Sequence, residues 1–385
     1  MKIGILTFHS QLNYGGVLQC WALKLALEHM GHDVMVMDRW LDENNSILER
    51  GFNVMTLAAC LKFVLKCCAG VGDIALLRRV QKTKAFIKEN LSLTRYHFVE
   101  WAEAPCDLGV DMLVVGSDQI WHCGDWGDPR VYLLDGAPNV PAITYAASIG
   151  AVEIPKSFEN CFKRGLKRFK ALSCRENEAV ALCSELGYKA THVVDPTLLL
   201  YGLRRVREEI AKSNKLVCYF LSGDFKNNVD GLMRFAKTNK CSVDIFTDYS
   251  VYGVSLKRPI SVLKFWWLRI LLRLSNVRLR FDAGPGEFMD AFREARWVIS
   301  DSFHALMFSI LYSCDVRVLK PVSVHRRKMF GRIEEISKHM DGPLIAENVS
   351  KALESFSKGE QVIIDEYWLK EEIHRSQDWL ENALK

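Results

Sequence analysis

Short apolar runs that stop at a small or polar residue, with helix-period segments between them, recur along this chain and constrain its fold more than any other feature. Residues 3–8 are the first such run and read as a buried strand. Residues 17–30 then show helical spacing through Leu18, Trp21, Ala22, Leu25 and Ala26, and Gly31 suits the end of that helix. Residues 34–37 form a second run, ending at Asp38. Strand, helix and strand in so short a stretch make a βαβ unit, which implies a parallel sheet.

The pattern returns. Residues 112–115 precede Gly116-Ser117-Asp118, 142–147 precede Ser148, 171–174 precede Arg175, and Val193-Val194 precede Asp195-Pro196. A second series begins beyond a charged segment near 203–214. Residues 216–221 precede Ser222-Gly223-Asp224, 243–246 follow a helical segment at 227–238, and 297–299 run into Asp301-Ser302-Phe303-His304. Further helices are expected over 155–170, 176–186, 288–295 and 365–384. The fold class is therefore α/β, with two Rossmann-like domains facing across a cleft. The first covers 1–205 and the second 206–364, with a hinge near 200–214. The last helix, in 365–385, is expected to pack back on the first domain by analogy with two-domain transferases.

Composition agrees. A chain of 385 residues suggests about two or three domains. With 49% hydrophobic and 25% charged residues it has the apolar surface that a disordered chain lacks. The net charge of +5 gives no strongly basic domain, so no nucleic-acid partner is expected. The N-terminal run is too short for a signal-peptide core, and no uncharged apolar run approaches the roughly 18–20 residues that span a bilayer. None of the 12 cysteines is spaced as C-x-x-C, and several sit in apolar runs, as Cys218 does. They read as reduced core residues of a cytoplasmic protein, and no metal site is expected.

Three segments carry chemistry. Asn13-Tyr14-Gly15-Gly16-Val17-Leu18-Gln19 joins the first strand to the first helix. Its glycines allow close backbone approach to a ligand and the helix start favours an anion, although the same residues also serve a tight turn. Asp301-Ser302-Phe303-His304 opens an apolar helix over 305–311. Ser302 and nearby amides suit a phosphate there, and His304 suits a cation or proton donor; a helix cap with a packed histidine reads equally well. In Cys174-Arg175-Glu176 the strand-end arginine offers a two-pronged donor for carboxylate or phosphate, or else pairs at the surface with Glu176 or Glu178.

Seven segments in order resemble the polysaccharide pyruvyl transferase family over roughly residues 3–335. They are the segment 13–19, Val115-Gly116-Ser117-Asp118-Gln119-Ile120-Trp121, Tyr145-Ala146-Ala147-Ser148-Ile149-Gly150, Ser173-Cys174-Arg175-Glu176, Val194-Asp195-Pro196-Thr197-Leu198-Leu199, Gly284-Pro285-Gly286-Glu287-Phe288 and Ser300-Asp301-Ser302-Phe303-His304. The resemblance implies a GT-B-like fold. It implies ketal pyruvyl transfer from phosphoenolpyruvate, as co-substrate and without a further cofactor, to two hydroxyls of a sugar. That sugar, galactose at its 4 and 6 positions in one version, would belong to a capsular polysaccharide or exopolysaccharide or to its lipid-linked precursor.

The family's catalytic histidine falls on His304 and its strand-end arginine on Arg175. Asp118 is expected to orient or deprotonate an acceptor hydroxyl. Donor binding is assigned to Ser302, Arg332, Arg175 and His304, and acceptor binding to Asn13, Tyr14, Gly15, Gly16 and Ser148. The family usually has glycine after its histidine, where this chain has Ala305, and a methyl there narrows any pocket that needs close approach. Some members carry arginine two residues before the histidine, where this chain has Ser302. The missing charge would then come from Arg332 or from His325-Arg326-Arg327-Lys328. A nucleotide-sugar glycosyltransferase and a non-catalytic saccharide-binding relative stay open as alternatives.

Two bulky segments with interleaved basic residues, 54–77 and 260–274, suit either core helices or a membrane surface. The second contains Phe265, Trp266 and Trp267 with Lys264, Arg269 and Arg273. Contact there would put the protein peripherally on the inner face of the membrane.

Overall fold

A computed structural model describes residues 1–40, 73–123, 128–150, 154–203, 211–221, 228–247, 270–272, 274–321 and 330–385. The middle of the expected hinge (204–210), most of both bulky segments (54–72, and 260–269 with Arg273), Ser222-Gly223-Asp224 and the basic cluster 325–328 lie outside them.

The first sheet is built from β1 (Lys2–Leu6), β2 (Asp33–Arg39), β3 (Leu93–Phe98), β4 (Met112–Val115) and β5 (Ala142–Thr144), in the order β3-β2-β1-β4-β5. All neighbours are parallel. Bridges from Ile143 to Ala171 and from Ala147 to Cys174 carry the sheet on to the parallel pair β6 (Leu172–Cys174) and β7 (Ala190–His192). A parallel sheet covered by helices on both faces buries both faces of its strands, which is why β4 reads Met-Leu-Val-Val without alternation.

The second sheet contains β8 (Lys215–Phe220), β9 (Ser242–Thr247), β10 (Val277–Leu279), β11 (Trp297–Ser300), β12 (Asp315–Leu319) and, beyond a short antiparallel pair made by β13 (Met340–Asp341), β14 (Ile345–Ala346). Its order is β10-β9-β8-β11-β12-β14, again all parallel. Counted within its own half, each sheet begins 3-2-1-4-5, the Rossmann order. Such sheets bind ligands beyond the carboxyl ends of the strands where that order reverses. In the first half that point lies between β1 and β4, and in the second between β8 and β11.

Helix α1 (Tyr14–His29) follows β1 and is capped by Asn13, whose side chain accepts from the Gly15 N–H. It is buried almost all round, because it packs on its own sheet and also on the second half. Helix α2 (Asp73–Asn90) reaches the second half through Lys82, 2.7 Å from Glu287. After α3 (Lys156–Leu166) and α4 (Asn177–Glu185), α5 (Pro196–Leu199) ends the first half. In the second half, α6 (Val229–Thr238) covers one face, and α7 (Pro285–Glu294) and α8 (Phe303–Leu311) turn toward the first.

One apolar core runs through both halves, from Ile3 and Val17 through Tyr14, Phe288 and Leu306 to Leu380. The last elements are α9 (Gly331–Ser337), α10 (Val349–Ser357) and α11 (Glu366–Leu384). Helix α11 lies against the first half, where Ser376 Oγ accepts from the Val194 N–H at 3.0 Å and Trp379 meets Tyr145.

Element edges differ from the sequence reading where the signal was weakest. The strand expected at 193–194 forms at Ala190–His192, and Val193 continues its ladder by donating to the Cys174 carbonyl. Helix α2 and strands β3, β10 and β12 had no sequence assignment. The strands are short or carry charge, as Arg95 and Arg317 do, and α2 is polar over much of its length.

Candidate active site

The turn after β11 is shaped by serines. Ser300 Oγ donates to the Tyr219 carbonyl at 2.6 Å and accepts from the Ser302 N–H at 3.1 Å. This starts α8 at Phe303 and puts His304 in its first turn, where amides have no partner within the helix. Ser302 is buried as the residue before that helix.

The His304 ring lies against Gly15, at the start of α1 in the other half. A Cβ on Gly15 would collide with His304 Nδ1 and stand 2.6 Å from its Cγ, so only glycine admits the ring. Gly16, one residue on, faces Asp118.

Arg175 ends β6 with its side chain 1% exposed. Its Nη1 donates to Asp195 Oδ2 at 2.8 Å, and its Nη2 donates to Asp118 Oδ1 at 3.4 Å. The same Nη1 lies 3.4 Å from His304 Nε2, which in turn is 3.9 Å from Asp195 Oδ2. Two guanidiniums lie over the Phe303 ring, that of Arg175 at 4.9 Å and that of Arg332, from α9, at 4.6 Å.

Asp118 is held by a network beyond β4. It adopts φ 74, which aspartate tolerates better than most residues. Its N–H donates to Ser117 Oγ at 2.6 Å, and the Ser117 carbonyl accepts from Thr7 Oγ1 at 2.7 Å. Gln19 ties this loop to α1 by donating to Thr7 Oγ1 and to the Phe8 and Gly16 carbonyls. Gly116 has φ 124 and a Cβ there would strike the Tyr145 carbonyl oxygen, so glycine is required. On the far side, Glu176 Oε1 accepts from Ser148 Oγ at 2.6 Å and from the Ile149 N–H at 3.1 Å, and its Oε2 stands 3.9 Å from Arg175 Nε.

These contacts set the charges. Burial pushes the His304 imidazole below its ordinary value. Asp118 and Asp195 oppose that, and Arg175 and Arg332 add to it. Burial would raise the Asp195 carboxyl, but Arg175, His304 and the Thr197 N–H together hold it below the usual carboxylate range. For Arg175, burial is outweighed by Asp195, Asp118 and Glu176, and the guanidinium stays charged. Burial, with Arg175 nearby, brings Arg332 down to about 10, so it too is cationic at neutral pH. With His304 neutral, three carboxylates therefore face two guanidiniums.

His304, Arg175, Asp118, Gly15, Gly16 and Arg332 thus converge from five segments of both halves. The others sit at the margin. Asn13 is exposed and caps α1. The Tyr14 hydroxyl is buried and donates to the Ala283 carbonyl at 2.8 Å. Ser148 is buried on Glu176. Three participants had no catalytic or binding role in the sequence reading: Asp195, Phe303 and Glu176, which was read only as a surface partner of Arg175 and is buried beside it. Asp195 was visible as a strand-end polar residue, and the rigid turn set by Pro196 was its signal. Among the described residues no three His, Cys, Asp or Glu side chains form a metal cluster.

The model of the polysaccharide pyruvyl transferase family matches residues 13–320, which include His304, Arg175 and Asp118. The chain belongs to the polysaccharide pyruvyl transferase family. It is therefore an enzyme of pyruvyl transfer to polysaccharide. Comparison with curated protein sequences gives no match. Among solved structures, the UDP-GlcNAc 2-epimerase of Neisseria meningitidis bound to UDP-GlcNAc is 11% identical with a TM-score of 0.50, covering 100% of this chain and 99% of its own. The UDP-GlcNAc 2-epimerase of Methanocaldococcus jannaschii is 12% identical with a TM-score of 0.48, covering 93% and 92%. At this identity the likeness to the former concerns the fold alone, and the pyruvyl transferase shares its two-Rossmann, GT-B-type arrangement. No helix among the described residues is long and apolar enough to cross a membrane.

Proposed function

We propose that the chain transfers the pyruvyl group of phosphoenolpyruvate to two hydroxyls of one sugar, forming a ketal and releasing phosphate. The meeting of His304, Arg175, Arg332 and the open amides of α8 at one point carries this reading. Phosphoenolpyruvate presents a carboxylate and a phosphate, and fixed guanidiniums plus a helix start suit both. Arg175 and Arg332 clamp the donor, and Ser302 and the amides after it hold the phosphate.

In the reaction the donor's methylene carbon takes a proton from His304, which makes C2 electrophilic. One sugar hydroxyl adds to C2, the phosphate leaves with its bridging oxygen, and the second hydroxyl closes the ketal. Asp118, beside Gly16, takes the first hydroxyl proton and passes it to the departing phosphate, and the second hydroxyl proton restores His304. Gly16, facing Asp118, lies on the acceptor side, Gly15 seats the His304 ring against it, Asn13 fixes their helix start, and Tyr14 and Ser148 brace that side from within.

The acceptor is a sugar of a capsular or exopolysaccharide, or its lipid-linked precursor, with the 4 and 6 hydroxyls of galactose as the first pair to try. A lipid-linked acceptor suits a protein resting on the inner face of the membrane through 260–274. Of the described residues there, Ile270, Leu271 and Leu274 are 43%, 43% and 81% exposed, whereas Leu272 is buried in the core of the second half.

The test is turnover of phosphoenolpyruvate with a panel of lipid-linked and synthetic glycosides, read by product mass and phosphate release. His304→Ala is expected to abolish both, and retained turnover overturns its role. A thermal-shift screen separates the donor classes: phosphoenolpyruvate should raise the melting temperature, and a rise with UDP- or GDP-sugars alone would favour glycosyl transfer.

A further inference from the structure

We infer that the carboxyl ends of β1, β2 and β3 form a sugar-binding subsite made by Asp38, Trp40 and His97, two to three strand spacings from Asp118 at the reacting centre. The inference rests on the proposed function, which seats the acceptor at the start of α1 in the first half.

Each strand delivers one part. His9 lies just past β1, Asp38 near the end of β2 with Trp40 directly after it, and His97 near the end of β3, in register with Asp38. Buried His9 donates from Nε2 to Asp38 Oδ1 at 3.1 Å, and the Trp40 indole N–H donates to the same oxygen at 3.1 Å. The Asp38 backbone N–H donates to Thr94 Oγ1 at 3.0 Å. Two hydrogen bonds therefore lock this carboxylate and one its backbone, and among the described residues both side-chain bonds fall on Oδ1. Its side chain is 18% exposed, which leaves Oδ2 as an outward acceptor in a fixed orientation.

Beside it, the Trp40 and His97 rings stack with centroids 4.2 Å apart and planes 7° from parallel. His97 is exposed and Trp40 half-buried, so the stack presents aromatic surface next to the open oxygen. A pyranose has one face of C–H bonds and a rim of hydroxyls. A flat ring pair takes the first and a fixed carboxylate oxygen takes two neighbouring members of the second, so the pairing selects a sugar over an aliphatic or anionic ligand.

Position supports the same occupant. These strand ends share the sheet edge with Asp118, which follows β4 on the other side of β1. Two strand spacings make roughly 10 Å, so a chain of sugars seated on Trp40 and His97 extends toward the glycines of α1 and the reacting centre. The subsite then reads a residue of the acceptor other than the one that is pyruvylated.

The experiment is a glycan array probed with the full chain and with Asp38→Asn, Trp40→Ala and Trp40→Phe. Phosphoenolpyruvate-induced thermal shift is measured for every protein. The wild type should retain a set of glycans. Asp38→Asn and Trp40→Ala should each lose at least tenfold in affinity for them, and Trp40→Phe, which keeps a stacking ring, should lose less. Should a Trp40 variant fail to fold, His97→Ala at its exposed position decides by the same tenfold loss. Unchanged glycan affinity in these variants overturns the subsite, as does a wild-type array that retains no glycan. If the array result holds while phosphoenolpyruvate shifts no protein, the subsite stands and the donor assignment falls.

Discussion

At His304, burial and two arginines act against two aspartates to set the charge of the imidazole. The imidazole is neutral at pH 7 in the free protein, because its value is pushed below the ordinary 6.5. A bound phosphate and carboxylate favour the imidazolium and pull the value back up. Binding of phosphoenolpyruvate should therefore take up a proton and weaken as pH rises. In kcat/KM for phosphoenolpyruvate the limb should break below 6.5, and in kcat it should break higher. His304→Gln should flatten both profiles. Stability follows from the same shift. Between the depressed value and 6.5 the unfolded chain holds more protons on this group than the folded one, so stability rises with pH across that window and is lost on acidification. Melting curves of the wild type against His304→Ala from pH 5 to 7 measure it. Arg175 is fixed through two separate nitrogens, to Asp195 and Asp118. Arg175→Lys keeps a charge and cannot make both contacts. Losing one charged hydrogen bond is worth about 1.5–3 kcal/mol, or roughly ten- to a hundredfold in kcat/KM, which steady-state kinetics would read.

Among the elements, the start of α1 has the tightest fit. Gly15 admits the His304 ring from the opposite half, and α1 is otherwise packed on all sides and unable to retreat. Gly15→Ala should leave the fold intact by circular dichroism, yet displace His304. A displacement near 1 Å in such sites costs on the order of a hundredfold in rate, so kcat should fall by about that much. Segment 260–274 is testable at the same scale. Trp266→Ser with Trp267→Ser should abolish co-sedimentation with anionic liposomes, and a wild type that does not sediment removes the membrane contact. The elements themselves were legible wherever apolar period was strong. Met112–Val115 and the helix ending at Leu384 were expected almost to the residue, whereas β10, three residues long with Arg278 at its centre, carries too little pattern to identify.

For the whole molecule, the two halves are joined by buried contacts around one side of the site. Tyr14 stacks on Phe288 with centroids 4.4 Å apart and donates to the Ala283 carbonyl, while the Arg79 guanidinium lies 4.4 Å from the Tyr14 ring centroid. Tyr14→Phe keeps the ring and leaves that carbonyl without its donor, at a cost of about 1–3 kcal/mol. Denaturant unfolding should show the loss, together with a lowered kcat if the joint positions His304 against Gly15.

By itself the sequence determined the α/β class, the doubled Rossmann pattern, the family motifs and the types of side chain that the chemistry needs. Those are local properties, since period, turn residues and strand-end polarity are written within a few positions of one another. Tertiary structure alone decided which of those side chains meet. Glu176 and Arg175 are adjacent in sequence, yet Glu176 turns to Ser148 while Arg175 reaches Asp195 and Asp118, 20 and 57 positions away. Asp38 showed in the sequence only as a strand-end polar residue, and its meeting with His97 gave no signal, because strand pairing brings β2 and β3 together across a long intervening stretch. Burial made the remaining decision: His304 has its lowered value only because α1 and α8, from separate halves, close over it.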